Sequence, residues 1–340
     1  MKDIKFLEEI TTIPGGSGDE TLVRNLLKEE ISKVTTPEID GFGNIIGKVG
    51  TGKKVIAIGH MDEIGYMVKD ILPNGIIKLA QAGFVFPQGA MCQIYTICTS
   101  KGQVEGVIGF SMDKRSNEFP SADALELDVG CKSKKEVEEL GIEIGNSVIA
   151  KSRFLQLKND ELLSKAWDNR IGCAISIRVL QELGEENLKC QFIGGGSVQE
   201  EVGCRGAKAL AVNIKPSIAF SLDTSPASNQ TGFECGKGPQ LFVMDSSTIG
   251  NKKLLQFVKD IANKHQIPYQ VGLLNRGGTD LSELQNAGGG CPSLAIGIPV
   301  KNIHSPVGII NYNDYENAIK LIKEVIKALN DEIIEELSKF

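Results

Sequence analysis

Apolar positions along the chain fall into three textures. Near the start, Leu22, Val23, Leu26, Leu27 and Ile31 recur at helical spacing. Ser17-Gly18-Asp19-Glu20 ahead of them fits a capping box, predicting a helix with Ser17 as N-cap and Glu20 reaching back. Pro14-Gly15-Gly16 before that box reads as a turn. Val55-Ile56-Ala57-Ile58 is continuously apolar, as expected of a strand buried on both faces.

From about Gly65 to Ser164 short β-type runs alternate with turn signals. Pro73-Asn74-Gly75 separates Met67–Leu72 from Ile76–Leu79, and Ser100-Lys101-Gly102 separates Ile94–Cys98 from Val104–Ile108. Both arrangements predict hairpins. One short helix interrupts, with Ser133 as N-cap, Glu136 at N3 and Gly141 as terminator.

After Asp168 strands and helices alternate. The pattern predicts a helix over Arg170–Leu183, ended by Gly184, and strands at Cys190–Ile193, Ile218–Leu222 and Ser293–Ile298. A last helix begins near Asn313, with Glu316 at N3. Its stripe is Ala318, Leu321, Ile322, Val325, Ile326, Leu329, Ile333 and Leu337, read as a helix packed on a sheet. The sum is an α/β domain, 1–64 with 165–340, split by a β-rich module at 65–164. No internal repeat or low-complexity segment stands out.

Length agrees: 340 residues suggest two domains at about 150 residues each. An apolar fraction of 41% and a charged fraction of 24% are those of an ordinary globular chain, which excludes wholesale disorder, collagen and a simple coiled coil. No apolar run reaches the roughly 18 residues of a membrane span. The start, MKDIKFLEEITTIPGG, has no apolar signal core, so a cytoplasmic protein is expected. The net charge is −6 and no Lys/Arg cluster occurs, which argues against a nucleic-acid partner. None of the eight cysteines forms a C-x-x-C pair, and they are expected to be reduced and mostly buried rather than zinc ligands or nucleophiles.

The candidate chemistry lies at element ends. Of three histidines, His60 follows the buried strand in Gly59-His60-Met61-Asp62-Glu63, where α/β sheets bind ligands. Asp62 can lie on the same side and fix the imidazole tautomer; the bland alternative is an exposed loop histidine. Asp168 opens a helix, and taken alone an N-cap is its favoured explanation. Glu200 and Glu201 sit together in Val198-Gln199-Glu200-Glu201-Val202-Gly203, after a glycine-rich strand end, where one acid can bind a metal and the other face a bound water; a solvated acidic loop is the alternative. Asp223 follows the strand at Ile218–Leu222, and His304 follows the run ending at Ile298. His265 reads as a solvated residue at a helix C-terminus. Together His60, Asp168, Glu201, Asp223 and His304 are two histidines and three carboxylates. That donor set suits zinc, cobalt or manganese better than calcium or magnesium. Five ligands exceed one open catalytic zinc and suit two ions about 3.5–4 Å apart sharing a carboxylate.

At these residues the chain resembles the tetrahedral (TET-type) aminopeptidases, peptidase family forty-two of the metallo class. That family includes glutamyl, leucyl, lysyl and deblocking aminopeptidases, and some members carry an endoglucanase label. The matching stretches are Ile13-Pro14-Gly15 with Ser17-Gly18, His60-Met61-Asp62-Glu63-Ile64-Gly65, Asp168-Asn169-Arg170-Ile171-Gly172, and VQEEVGCRG from Val198 to Gly206. They continue with Asp223-Thr224, Gly236-Lys237-Gly238-Pro239, Gly278-Thr279-Asp280 and His304-Ser305-Pro306, in the family's order and across almost the whole chain.

The resemblance implies a phosphorylase/hydrolase-like mixed sheet flanked by helices, with a PDZ-like β insert used for dimerisation on the way to a dodecamer. It implies two divalent ions per subunit, zinc or cobalt foremost and manganese next. Asp168 would bridge them, His60 and Asp223 completing one site and Glu201 and His304 the other. Glu200 would be the general base acting on a metal-bridging water, and Asp62 would orient His60. Short peptides are the implied substrates. Two departures bear on side-chain preference and assembly: Lys301-Asn302 stand where members often have Arg-Tyr, and Leu281-Ser282-Glu283 follow Gly-Thr-Asp where members carry small residues. Lys301 and Arg276 are read as surface cations. Alternatives are a metal-dependent hydrolase of another amide, such as an N-acyl substrate, or a non-catalytic metal-stabilised assembly subunit. A glycosidase is disfavoured, because it needs two free carboxyls across a sugar and these are committed to metal.

Overall fold

A computed structural model describes residues 3–109 and 120–339. Eight strands form one mixed sheet in the spatial order Glu38–Ile39, Ile45–Val49, Gln191–Ser197, Lys54–His60, Ile218–Pro226, Ser293–Val300, Gln240–Met244 and Gln270–Leu273. The four strands from Gln191–Ser197 to Ser293–Val300 run parallel. Their neighbours Ile45–Val49 and Gln240–Met244 run antiparallel to them. Alternate residues of the strand Lys54–His60 enter opposite cores, as side chains of a strand must. Val55 and Ala57 pack with helices Ile4–Thr12, Thr21–Ser32, Trp167–Leu183 and Tyr312–Ala328, whereas Ile56 and Ile58 pack with Arg205–Ile214 and Leu281–Leu284. This is the strand buried on both faces that its unbroken apolar run predicts.

The helix Trp167–Leu183 lies unusually close to the sheet. A Cβ on Gly59 would stand 2.5 Å from Cys173 N, and one on Gly172 would stand 2.2 Å from Leu222 O. Only glycine permits that approach. Asn169 secures it: Nδ2 donates to Leu222 O at 2.7 Å, while Oδ1 accepts from Gly172 N at 3.0 Å.

Between the strands Lys54–His60 and Gln191–Ser197 the chain builds a second β unit. Gly65–Ile71, Ile77–Ala82, Glu126–Asp128, Gly102–Ile108, Gln93–Thr99 and Ser147–Ala150 close into an antiparallel barrel in that spatial order. Both predicted hairpins are present in it. The barrel has its own core, including Tyr66, Leu79, Tyr95, Ile97, Leu127 and Val148. The short helix Lys134–Glu139 is capped by Ser133, whose hydroxyl accepts from Glu136 N, and Gly141 follows in the left-handed region. Leu155–Gln156 instead pairs with Glu161–Ser164, which in turn pairs with Gly308–Asn311.

Three expectations are corrected. Ser17 is not a helix cap: the helix starts at Thr21, and the Ser17 hydroxyl donates to Asp62 Oδ2 at 2.6 Å. The last apolar stripe is two helices, Tyr312–Ala328 and Asp331–Leu337, because Leu329 is extended and Asn330 caps the second by accepting from Ile333 N. The first of these starts ahead of Asn313, capped by Asn311. Among the cysteines, all free, only Cys173 and Cys190 are fully buried; Cys92 is exposed and the rest are intermediate. No helix among the described residues is long and apolar enough to cross a membrane.

Candidate metal centre

The carboxyl ends of the parallel strands converge on one crevice, where open α/β sheets place their ligands. His60 ends its strand and pairs in register with Ser197, the last residue of the neighbouring strand before Glu200 and Glu201. Asp223 lies within Ile218–Pro226, two residues past the Ser221–Ile58 pair, and so comes level with His60. His304 follows the strand Ser293–Val300, and Asp168 arrives in non-helical backbone just ahead of the regular helix clamped by Gly172. The Asp168–Asn169 peptide is cis. His304 and Gln199 take positive φ, a costly conformation that clusters at functional sites.

Side chains meet accordingly. His60 Nε2 lies 3.2 Å from Asp168 Oδ1, and His304 Nε2 lies 3.1 Å from Asp168 Oδ2. Each oxygen of one carboxylate thus faces a different histidine. Ligand atoms of His60, Asp168 and Asp223 all lie within 4.8 Å of one another, and so do those of Asp168, Glu201 and His304. Glu200 is in neither triad; its Oε2 stands 3.6 Å from His60 Nε2. Asp62 is fully buried behind His60, with Oδ1 3.3 Å and its carbonyl oxygen 3.1 Å from Nδ1. All seven sequence-selected residues therefore meet in one place, and neither Glu200 nor Glu201 is a freely solvated acid. His265 stands apart at the end of the helix Lys252–Lys264, as expected.

The electrostatics describe a site short of positive charge. Burial pushes the Asp223 and Glu201 carboxyls well above the usual carboxylate range, and the charge of Asp168 pushes them further. Glu200 is raised by burial, with Asp168 and Asp62 adding to it against the attraction of His60. Asp168 goes the other way: burial raises it, but hydrogen bonds from His304 and His60 outweigh that and hold it low. For His60, burial favours the neutral ring, yet Glu200, Asp168 and Asp62 prevail and raise it. Glu201 Oε1 is buried without a hydrogen-bond partner. Crowded buried carboxylates, an orphaned oxygen and imidazole nitrogens fit a divalent cation, which would neutralise the acids and occupy the free oxygen.

Several supporting residues escaped the sequence reading. Glu63 is buried between Lys165 and Arg170, with Lys165 Nζ 2.6 Å from Oε2 and an Arg170 amine 3.1 Å from Oε1. Arg170 also donates to the carbonyls of Ile10, Ile13 and Gly15, tying the N-terminal segment beneath the centre. Glu63 and Arg170 lie in the quoted motifs, but nothing in the order of residues pairs them with each other. Beside His304 a partly open cleft lies between the two units, with Asp168, Ile64, Tyr66, Val85, Trp167 and Ile303 in its wall. Lys301, expected as a surface cation, is ion-paired with Glu161, and Arg276 is exposed.

The M42 glutamyl aminopeptidase family model matches residues 43–321. The chain belongs to this family. Lysyl aminopeptidase of Pyrococcus furiosus is 33% identical over 344 residues, covering 97% of this chain and 98% of its own. The aminopeptidase of Desulfurococcus kamchatkensis superimposes with a TM-score of 0.95 at 31% identity, over 100% of this chain and 98% of that one. The TET1 peptidase of Pyrococcus horikoshii, reported to assemble into a tetrahedron or a large octahedral shell, gives 0.91 at 32% identity, over 96% and 99%. This M42 chain is an aminopeptidase, a hydrolase of peptide bonds, and its family implies divalent metal cofactors.

Proposed function

We propose that this M42 aminopeptidase removes N-terminal residues from short peptides at a centre of two divalent ions. The observation that carries the reading is Asp168, whose two oxygens face His60 and His304 at 3.2 and 3.1 Å. His60 and Asp223 would hold one ion, Glu201 and His304 the other, with Asp168 between them. When bound, such a pair lowers the pKa of an attacking water and polarises the scissile carbonyl. Glu200 takes the water's proton and returns it to the leaving amine; its position beside His60 but outside both triads supports that role. Asp62 holds His60 in orientation and is a positioning residue. Zinc or cobalt suits the imidazole–carboxylate donors best, and manganese follows.

The cleft beside His304 would receive the N-terminal side chain. Its walls are largely apolar, and its lysine, Lys165, is taken up by Glu63. This favours neutral over acidic or basic side chains. The division into 1–64 with 165–340 as the catalytic part and 65–164 as a PDZ-like insert is part of the same reading; the separate core of the barrel supports it from Tyr66 to Ala150, whereas Glu161–Ser164 pairs with Gly308–Asn311 of the catalytic part. Exposed Ile94, Val107 and Ile144 on that unit support a dimer contact, the first step towards a larger homo-oligomer such as the Pyrococcus horikoshii relative forms. A cytoplasmic location is part of the same reading.

The test is a panel of Leu, Met, Glu, Asp and Lys anilides on metal-stripped protein with zinc, cobalt or manganese restored. Hydrolysis that depends on metal and favours Leu and Met is expected. N-acyl amides cleaved in preference to free-amine substrates, or metal bound without any turnover, would overturn the reading.

A further inference from the structure

Three clusters of metal-ligating side chains occur among the described residues, and the third is not explained by the proposed pair. It consists of Glu200, Cys204 and Asp280, whose ligand atoms lie within 4.8 Å of one another. Cys204 begins the helix Arg205–Ile214 in the left-handed region, and its Sγ–H donates to Glu200 Oε1 at 3.4 Å and to Thr279 O at 3.5 Å. Asp280 is 1% exposed. The Ser197 hydroxyl occupies its Oδ2, while its Oδ1 is buried and has no partner. A buried carboxylate oxygen left free beside a thiol and a second carboxylate is costly unless something binds there.

The two oxygens of Glu200 have divergent surroundings. Oε2 is turned to His60, at 3.6 Å, and Oε1 to Cys204. We propose that Glu200, Cys204 and Asp280 form a third, inhibitory site for a soft divalent cation, zinc in particular. A thiolate and two carboxylates, with water in the remaining position, make a donor set that zinc accepts. The thiolate discriminates against manganese and magnesium. Binding releases the Cys204 S–H proton to solvent and forms a sulfur–metal bond, with no change of oxidation state. The half-buried position of Cys204 leaves it open to an arriving ion. An ion held there draws on Glu200 Oε1 and removes the carboxylate's capacity to accept a proton. Activity therefore rises with zinc as the proposed pair fills and falls as the third site fills. That inhibitory consequence rests on Glu200 being the base; the site itself does not.

The experiment starts from full-length protein carrying two equivalents of metal, wild type beside Cys204→Ala and the near-isosteric Cys204→Ser. Cobalt added beyond two equivalents should produce sulfur-to-cobalt charge-transfer absorption in the near ultraviolet in wild type and in neither variant. Excess zinc should inhibit wild type, whereas the variants should require at least about tenfold more zinc, since losing even an outer supporting group costs metal affinity ten- to hundredfold. Manganese in excess should not inhibit. No third-equivalent band in wild type, the same band in the variants, or equal zinc inhibition in all three proteins would overturn the site. Protein inactive at two equivalents but displaying the Cys204-dependent band would keep the site and overturn the proposed function instead.

Discussion

The Asp62 carboxylate accepts the backbone N–H of Glu200 at 3.0 Å through Oδ1. Through Oδ2 it accepts the N–H of Glu201 at 3.2 Å. Asp62 thus sets the backbone of both acids as well as facing His60, and the Ser17 hydroxyl braces it from behind. Asn in its place removes the charge and one acceptor. Asp62→Asn should lower kcat by about ten- to hundredfold, with weaker metal binding, as loss of such supporting groups does. Steady-state kinetics and metal titration check this; unchanged values for both would show that Asp62 positions nothing.

Glu200 lies outside the two triads proposed to hold the catalytic pair, so its loss should spare those two ions. Glu200→Gln should reduce kcat by about 10²–10⁴-fold, the usual contribution of a positioned general base. In protein loaded with two equivalents, metal content measured by emission spectrometry should stay that of wild type. A near-normal kcat would remove the base assignment.

Metal removal should do more than stop turnover. Burial and the charge of Asp168 both act against ionisation of Asp223 and Glu201, and a bound cation relieves this. Chelator should abolish anilide hydrolysis and lower Tm, and added zinc or cobalt should reverse both. A ligand at about a hundred times its Kd stabilises by roughly 2.7 kcal/mol. Hydrolysis that persists after complete metal removal would contradict the account.

Lys165, which is not a proposed metal ligand, supplies a pH test. Burial lowers its ammonium from 10.5 to about 8, against the attraction of Glu63. Below pH 8 the lysine is protonated whether the chain is folded or unfolded. Between 8 and 10.5 the unfolded chain holds the proton and the folded chain does not, so this group's contribution to stability rises with pH. In urea unfolding from pH 7 to 10.5, wild type should gain stability relative to Lys165→Met across that window. A relative loss would mean that the lysine keeps its charge when folded. At pH 7 the single variant should be destabilised by about 1–3 kcal/mol, because Glu63 keeps its Arg170 partner but loses the hydrogen bonds from Lys165.

What the sequence makes legible follows from what each signal encodes. His60 and Asp223 are readable because an apolar run marks a strand and the residue after it enters the crevice. Asp168 joins them only through the Gly59–Gly172 approach and the Asn169–Leu222 bond, which are tertiary and carry no local signature. The Ser17 hydroxyl fits a cap by spacing, yet a buried carboxylate 45 residues away competes for it and wins. The apolar stripe continues through the break at Asn330 because Leu329, Ile334 and Leu337 all enter the same core, so periodicity alone hides two helices. The barrel's hairpins are visible in their turn residues, whereas closure depends on the pairing of Gly65–Ile71 with Ser147–Ala150, far apart in the chain.

The most direct test of the central claim is anomalous diffraction at the zinc edge from crystals of the zinc-loaded protein. Two peaks separated by about 3.5–4 Å are expected. One should be coordinated by His60, Asp168 and Asp223, the other by Asp168, Glu201 and His304. No zinc between these side chains under saturating metal, or a single ion that leaves Asp168 unligated, would contradict it.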